Sequence, residues 1–182
     1  MKKLQFSIII LALFQGCGSE TQELGQYDEP NETDDIITFE KYVANVMTPV
    51  RQTTDGGYIV AGGKNGQAWL MKLDKYGEEE WQNTYTLGDF GYSRSVVQTS
   101  DGGYLYAGYE GIVKVDSNGT EEWKNKTKTV GAYPYYEDAI EHSSGNFYAV
   151  GGPSGGQGQL VKFSPTGNVL KRKFYGLSLI HI

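Results

Sequence analysis

The sequence predicts an all-β fold built from about three repeated units of four short antiparallel strands. Residues 98–108 read Gln-Thr-Ser-Asp-Gly-Gly-Tyr-Leu-Tyr-Ala-Gly, and residues 52–62 read Gln-Thr-Thr-Asp-Gly-Gly-Tyr-Ile-Val-Ala-Gly. A more divergent copy occupies residues 141–151, so the motif recurs after 46 and then 43 residues. Self-similarity at such a period is typical of stacked structural units that bury their apolar faces against one another.

The composition supports strands and tight turns. The 182 residues include 25 Gly and 14 Tyr but 5 Pro, which suits many short strands joined by turns. No long segment keeps a 3.6-residue apolar period, which argues against a helical bundle.

Each unit begins with a short strand, A, that leads into a tight turn. Strand A is predicted at residues 48–51, 95–98 and 138–141. Pro49 removes a backbone donor, so the first copy is expected to be weak or bulged. Asp-Gly-Gly follows in the first two copies and Ser-Gly-Asn in the third. These residues favour a tight A–B turn because Gly accepts positive φ and Asp bonds its own backbone.

Strands B and C are apolar on both faces, which predicts sheets that are covered on both sides. A turn with Gly at its fourth place follows strand C in each copy, and strand D comes next, with Trp81 and Trp123 in the first two copies. Residues 36–42 read as a D strand that opens the array. Strand B is predicted at 58–61, 104–107 and 147–150, strand C at 70–73, 112–115 and 160–163, and the third strand D at 169–174.

These motifs together resemble the repeat of secreted bacterial β-propeller proteins, over residues 36–176. The resemblance implies a partial β-propeller of about three four-stranded antiparallel blades in an open arc. It also implies an extracellular or surface-attached location, and it carries no catalytic site. Closed propellers have about 4 to 8 blades, so we expect this array to be incomplete.

Residues 1–16 have the features of a lipoprotein signal peptide. Two lysines precede an apolar run at residues 6–14 that is too short to span a bilayer. Residues 14–17, Phe-Gln-Gly-Cys, resemble the lipobox of bacterial lipoproteins, which implies lipidation of Cys17; an ordinary secretory signal is the alternative. We therefore expect secretion across the inner membrane and a lipid anchor in the cell envelope, at the outer membrane or cell surface.

Residues 17–35 are predicted to form a flexible acidic tether. Seven acidic side chains occur there without Lys or Arg, which keeps such a segment unfolded and extended. The remaining chain carries nearly equal numbers of acids and bases. A neutral domain gives no electrostatic basis for binding nucleic acid.

Residues 177–182 fit no position of the repeat. Their sequence, Leu-Ser-Leu-Ile-His-Ile, resembles the translation of a transposon-end adaptor. We expect this tail to be non-native and the array to be cut short after Gly176.

Strand C carries a lysine at the same position in every copy: Lys72, Lys114 and Lys162. A ring of cationic ligands is one interpretation. The favoured one is that each lysine extends over apolar neighbours and pairs with the carboxylate after its strand, Asp74 and Asp116 in the first two copies.

The candidate binding surface lies at the end of the array opposite the regular turns. Variable B–C loops (62–68, 108–111, 151–159) and D–A loops (87–93, 130–137) are predicted there, and such loops commonly carry recognition. Aromatic rings beside carboxylates suit contact with sugars or proteins, although these rings could also fill gaps between blades. The candidate binding residues are Asp89, Phe90, Tyr92, Tyr133, Tyr135 and Tyr136.

The sequence contains no recognisable catalytic or metal-binding constellation. It has two His, no Cys besides Cys17 and no phosphate-binding loop. We therefore predict a non-catalytic binding or scaffold domain, without cofactor or metal, that recognises a glycan or a protein. The alternatives are a fragment of a propeller-fold polysaccharide hydrolase or lyase, with catalytic residues in missing blades, and a structural spacer.

Overall fold

The computed structural model describes residues 49–88, 91–109, 111–126, 134–153 and 158–176. In these parts of the chain, twelve strands form three four-stranded antiparallel sheets, each with its strands in sequence order. The prediction of an all-β fold of three four-stranded units is confirmed. The predicted signal peptide, tether, opening strand at residues 36–42 and tail lie outside the described residues. A helix that could cross a membrane was not found within the described ranges.

The three sheets have the same up-and-down layout. The first sheet consists of β1 (Val50–Gln52), β2 (Tyr58–Lys64), β3 (Gln67–Leu73) and β4 (Glu79–Tyr85). The second consists of β5 (Ser93–Gln98), β6 (Tyr104–Gly108), β7 (Gly111–Val115) and β8 (Glu121–Asn125). The third consists of β9 (Pro134–Glu141), β10 (Phe147–Pro153), β11 (Gly158–Phe163) and β12 (Val169–Tyr175). With 3 residues, β1 is the shortest of these strands.

The turns between first and second strands, and between third and fourth strands, are regular. In the second sheet, the Asp101 carboxylate accepts hydrogen bonds from the Thr99 hydroxyl and the Gly103 amide. In the following turn, Asp116 accepts from the amides of Asn118 and Thr120. These carboxylates stabilise tight turns by bonding the backbone ahead of them, as the sequence predicted.

The opposite end of the first sheet differs from the prediction. Instead of a loop over residues 62–68, β2 and β3 continue into a two-residue hairpin at Asn65 (φ 53°) and Gly66 (φ 75°). Asn-Gly is the preferred pair for such a turn because both positions need positive φ. The predicted D–A loop at 130–137 is also wrong in part, because Tyr135 and Tyr136 belong to strand β9.

Successive sheets pack face to face through two apolar clusters. One lies between the first and second sheets and includes Ile59, Leu70 and Tyr104. The other lies between the second and third sheets and includes Leu105 and Phe163. The second sheet therefore contributes alternate residues of the same strand to both clusters, which explains its continuous apolar runs.

The recurring lysines pair differently from the prediction. The Lys114 ammonium, on a side chain that is 2% exposed, lies 2.8 Å from both Asp101 and Glu122. Lys72 makes the equivalent pairs with Asp55 and Glu80, each at 2.9 Å. The carboxylate after each strand was the wrong partner, because its oxygens cap the following turn. The lysines join a turn to an outer strand within one sheet.

Candidate functional site

Three tyrosines form a continuous aromatic row at the end of the fold opposite the regular turns. The rings of Tyr109 and Tyr135 stack with centroids 5.6 Å apart and planes inclined by 21°. Tyr92 meets Tyr109 edge-on at 5.7 Å, and its side chain is 61% exposed. We call Tyr92, Tyr109 and Tyr135 the tyrosine ladder. It bridges the second and third sheets.

Close backbone contacts position the ladder. The amide of Tyr109 donates to the carbonyl of Tyr92 at 2.9 Å, and Tyr109 forms an isolated bridge with Tyr135. A Cβ atom on Gly108 would lie 2.2 Å from the Tyr92 carbonyl oxygen. Such a contact is sterically impossible, so glycine at the end of β6 allows the ladder backbone to come this close.

Charged groups lie beside the ladder. The Arg94 guanidinium carbon stands 5.7 Å from the centroid of the Tyr109 ring. Its Nε lies 3.7 Å from a carboxylate oxygen of Glu137, and both side chains are partly exposed. The next carboxylate, Asp138, accepts a 2.6 Å hydrogen bond from the Ser95 hydroxyl. The surface therefore offers aromatic area together with a donor and acceptors for hydrogen bonds.

Tyr136 is placed differently from its neighbour in sequence. Its ring is fully buried between the second and third sheets and contacts Phe163 edge-on at 6.0 Å. Burial raises the pKa of Tyr136 to about 12, against the opposing effect of Arg172. In register with Tyr136 across the sheet, Gln159 is also buried, and its side-chain amide has no hydrogen-bond partner among the described residues. Tyr136 supports the site from within the core.

The structure places two of the six predicted binding residues, Tyr92 and Tyr135, in the ladder, where each contacts Tyr109. Asp89, Phe90 and Tyr133 lie outside the described residues. Tyr109 was missed, although its place in the short predicted loop at 108–111 was a signal for it. Across the described ranges, no three His, Cys, Asp or Glu side chains are grouped to hold a metal ion.

Comparisons with known proteins support the fold. No protein-family model matches the chain, and no curated protein sequence matches it. A crystal structure of a protein of unknown function from Bacteroides caccae is similar, with a TM-score of 0.50 and 18% identity over 66% of this chain and 41% of that one. An engineered GH43 glycoside hydrolase aligns with a TM-score of 0.49 and 14% identity, over 73% of this chain and 29% of the enzyme.

This chain spans less than half the length of either solved structure. At these identities the likeness concerns the fold alone. The three up-and-down sheets that pack face to face define the chain as an all-β, propeller-like protein.

Proposed function

We propose that this protein is a non-catalytic, lipid-anchored protein of the bacterial cell envelope that binds a saccharide through the tyrosine ladder. The observation that carries the proposal is the row of three rings across two sheets, in which Tyr92 is exposed and Tyr109 and Tyr135 are half-buried. Tyrosine suits such a surface because its ring covers apolar area while its hydroxyl bonds to polar groups. Sugars present the same combination of apolar faces and hydroxyls.

The charged groups beside the ladder fit a binding role. Arg94 and Glu137 are partly exposed and form a loose pair, so each can exchange its partner for a hydroxyl of a ligand. Asp138 is already bonded to Ser95 and to the backbone at Ala139. This arrangement favours recognition over hydrolysis, which requires an acid and a second carboxylate poised across the scissile bond.

The anchor is the second part of the proposal. The signal-like residues 1–16 and the single Cys17 support lipidation at the cysteine, and the acidic segment at 17–35 would separate the domain from the membrane. Metabolic labelling with an alkyne fatty acid tests it. Label should enter the wild-type protein and be absent from Cys17→Ser; equal labelling of both would contradict the anchor.

Saccharide binding is tested on a glycan array, with affinities then measured by calorimetry on Cys17→Ser protein. Tyr109→Ala and Tyr135→Ala should each weaken binding roughly 5- to 30-fold, as expected from the loss of about 1–2 kcal/mol of ring contact. Tyr76→Ala is the control for the loss of a tyrosine ring away from the ladder, because Tyr76 is 56% exposed on a regular turn at the other end of the fold. It should bind like the wild type.

Each other outcome counts against the proposal. Unchanged affinity in both ladder variants would show that the ladder is not the binding site. Cleaved glycan products would favour the hydrolase or lyase. A protein captured through the ladder, with no glycan bound, would make the ligand class wrong. The absence of any ligand would favour a spacer.

A further inference from the structure

The two internal interfaces repeat the same hydrogen bonds. The indole nitrogen of Trp81 in the first sheet donates to the Ser117 carbonyl in the second sheet at 3.1 Å. Trp123 in the second sheet donates to the Pro165 carbonyl in the third sheet at 2.9 Å. In both cases a side chain of the fourth strand bonds the backbone of the next sheet's last turn.

Three more donors of the fourth strands follow the same rule. The side-chain amide of Asn83 donates to the Gly119 carbonyl at 3.2 Å, and that of Asn125 donates to the Gly167 carbonyl at 2.8 Å. The hydroxyl of Tyr85 also donates to Gly119, at 2.7 Å. The fourth strand of one sheet thus supplies donors, and the next sheet supplies carbonyl acceptors.

The third sheet keeps donors at these positions and exposes them. Lys171 pairs in register with Lys162, as Trp81 pairs with Lys72 and Trp123 with Lys114. By the same register, Lys173 stands at the asparagine position and Tyr175 at the position of Tyr85. The exposed side chains of strand β12 that match bonded donors of the first sheet are Lys171, Lys173 and Tyr175.

The apolar residues of this outer face are exposed too. Ala61 and Ala107, which face the next sheet in the first two units, are fully buried. The corresponding residue of the third sheet, Val150, is 45% exposed, and Ile140 on the adjacent strand is 53% exposed. The position of Val150 is covered in both other sheets, and that of Ile140 is partly covered in the second sheet by the third, where Val97 stands. Exposed apolar side chains at such positions indicate a packing surface.

A second copy of this chain does not fit the surface. Two such faces would bring Lys162, Lys171 and Lys173 against the same lysines, and like charges in contact are unfavourable. A head-to-tail arrangement would use the other face of the first sheet. There Met71 and Leu73 are each only 3% exposed, so the part of that face formed by β3 is not available for packing, although Val50 at its edge is exposed.

We propose that the outer face of the third sheet is the docking surface for a further four-stranded sheet of the same repeat. The last turn of that sheet would accept hydrogen bonds from Lys171, Lys173 and Tyr175 through its backbone carbonyls. The face of that sheet that corresponds to the Tyr104 face of the second sheet would cover Ile140 and Val150. Lys162, half-buried with its ammonium 5.7 Å from the Tyr148 ring centroid, would meet an acceptor of the incoming sheet.

The test appends a copy of residues 87–126 directly after Gly176, which keeps the spacing between the first and second sheets. A Cys17→Ser, Val150→Cys background reports coverage of the face through the rate of thiol labelling by a maleimide. The appended sheet should slow labelling by about tenfold or more, because the thiol reacts only when the interface opens. Tyr76→Cys, far from this face, should label equally fast with and without the copy.

Charge variants test the donors. Lys171→Glu with Lys173→Glu in the extended chain should restore fast labelling of Val150→Cys, because carboxylates would face carbonyls. Lys75→Glu, a single charge reversal of the same kind on an exposed turn of the first sheet, should leave labelling slow, whereas Lys171→Glu and Lys173→Glu made singly should each differ from it if both lysines act as donors.

The proposal fails if labelling of Val150→Cys is as fast in the extended chain as in the three-sheet chain. It also fails if a protease trims the appended copy back to Gly176 while the three sheets stay folded, since the surface then does not hold the sheet. Slower labelling of the three-sheet chain at higher protein concentration, with a dimer in sedimentation, would make a second copy the occupant and overturn it.

Discussion

The lysine buried in the second sheet allows a sharp test of which charge the fold depends on. Lys114 is 2% exposed, whereas its partners Asp101 and Glu122 are 56% and 43% exposed. In Lys114→Met, both carboxylates can recover water, so the expected loss of unfolding free energy is about 0–2 kcal/mol. In the double variant Asp101→Asn, Glu122→Gln, the ammonium stays buried without an anion, and the expected loss is about 3–5 kcal/mol.

Urea unfolding followed by tryptophan fluorescence measures both losses, and an unchanged m-value shows that the midpoint reports stability. Asn at position 101 can still accept from the Gly103 amide, so the turn itself is retained. The reasoning is refuted if Lys114→Met destabilises the protein as much as the double variant, because the cost would then come from lost packing and not from an unpaired buried charge.

Three further changes test other parts of the fold. Gly103→Ala should cost about 1–3 kcal/mol in urea unfolding, because its Cβ would lie 2.3 Å from a backbone oxygen of the facing strand, whereas Gly102→Asn, at φ 84° in open space, should stay within about 1 kcal/mol. Hydrogen bonds lower the pKa of Asp55 to about 2, and against the effect of burial they lower that of Asp101 to about 2. The stability that these two carboxylates contribute should therefore be fully present above about pH 4 and should be lost as the pH falls towards 2. In an acid titration the loss should be less steep in Asp101→Asn, and an equal slope would contradict this. Trp123→Phe should lower stability by about 1 kcal/mol through loss of its bond to the third sheet, and an unchanged melting temperature would show that this bond contributes nothing.

The sequence predicted those parts of the fold that depend on neighbouring residues. The Asp-Gly-Gly turns and the alternating strands were recognisable because turn geometry and strand pattern are local. The partners of Lys114 were not, since Asp101 and Glu122 become neighbours only after three strands pair. The hairpin at Asn65 and Gly66 was missed although its dipeptide signal was present. Tyr92 and Tyr135 were predicted on the same loop face, but the ring of Tyr109 between them could not be, since its place depends on the packing of two sheets.

The tryptophan bonds between sheets use backbone carbonyls as acceptors, and Ser117 and Pro165 occupy equivalent places in them. These hydrogen bonds do not depend on which side chains the partner sheet carries at the accepting residues. They do depend on the glycine of the turn, because a Cβ on Gly167 would lie 2.4 Å from the Trp123 ring. The repeats can therefore differ in sequence and still stack, whereas Gly119 and Gly167, which leave room for the indole rings, are required.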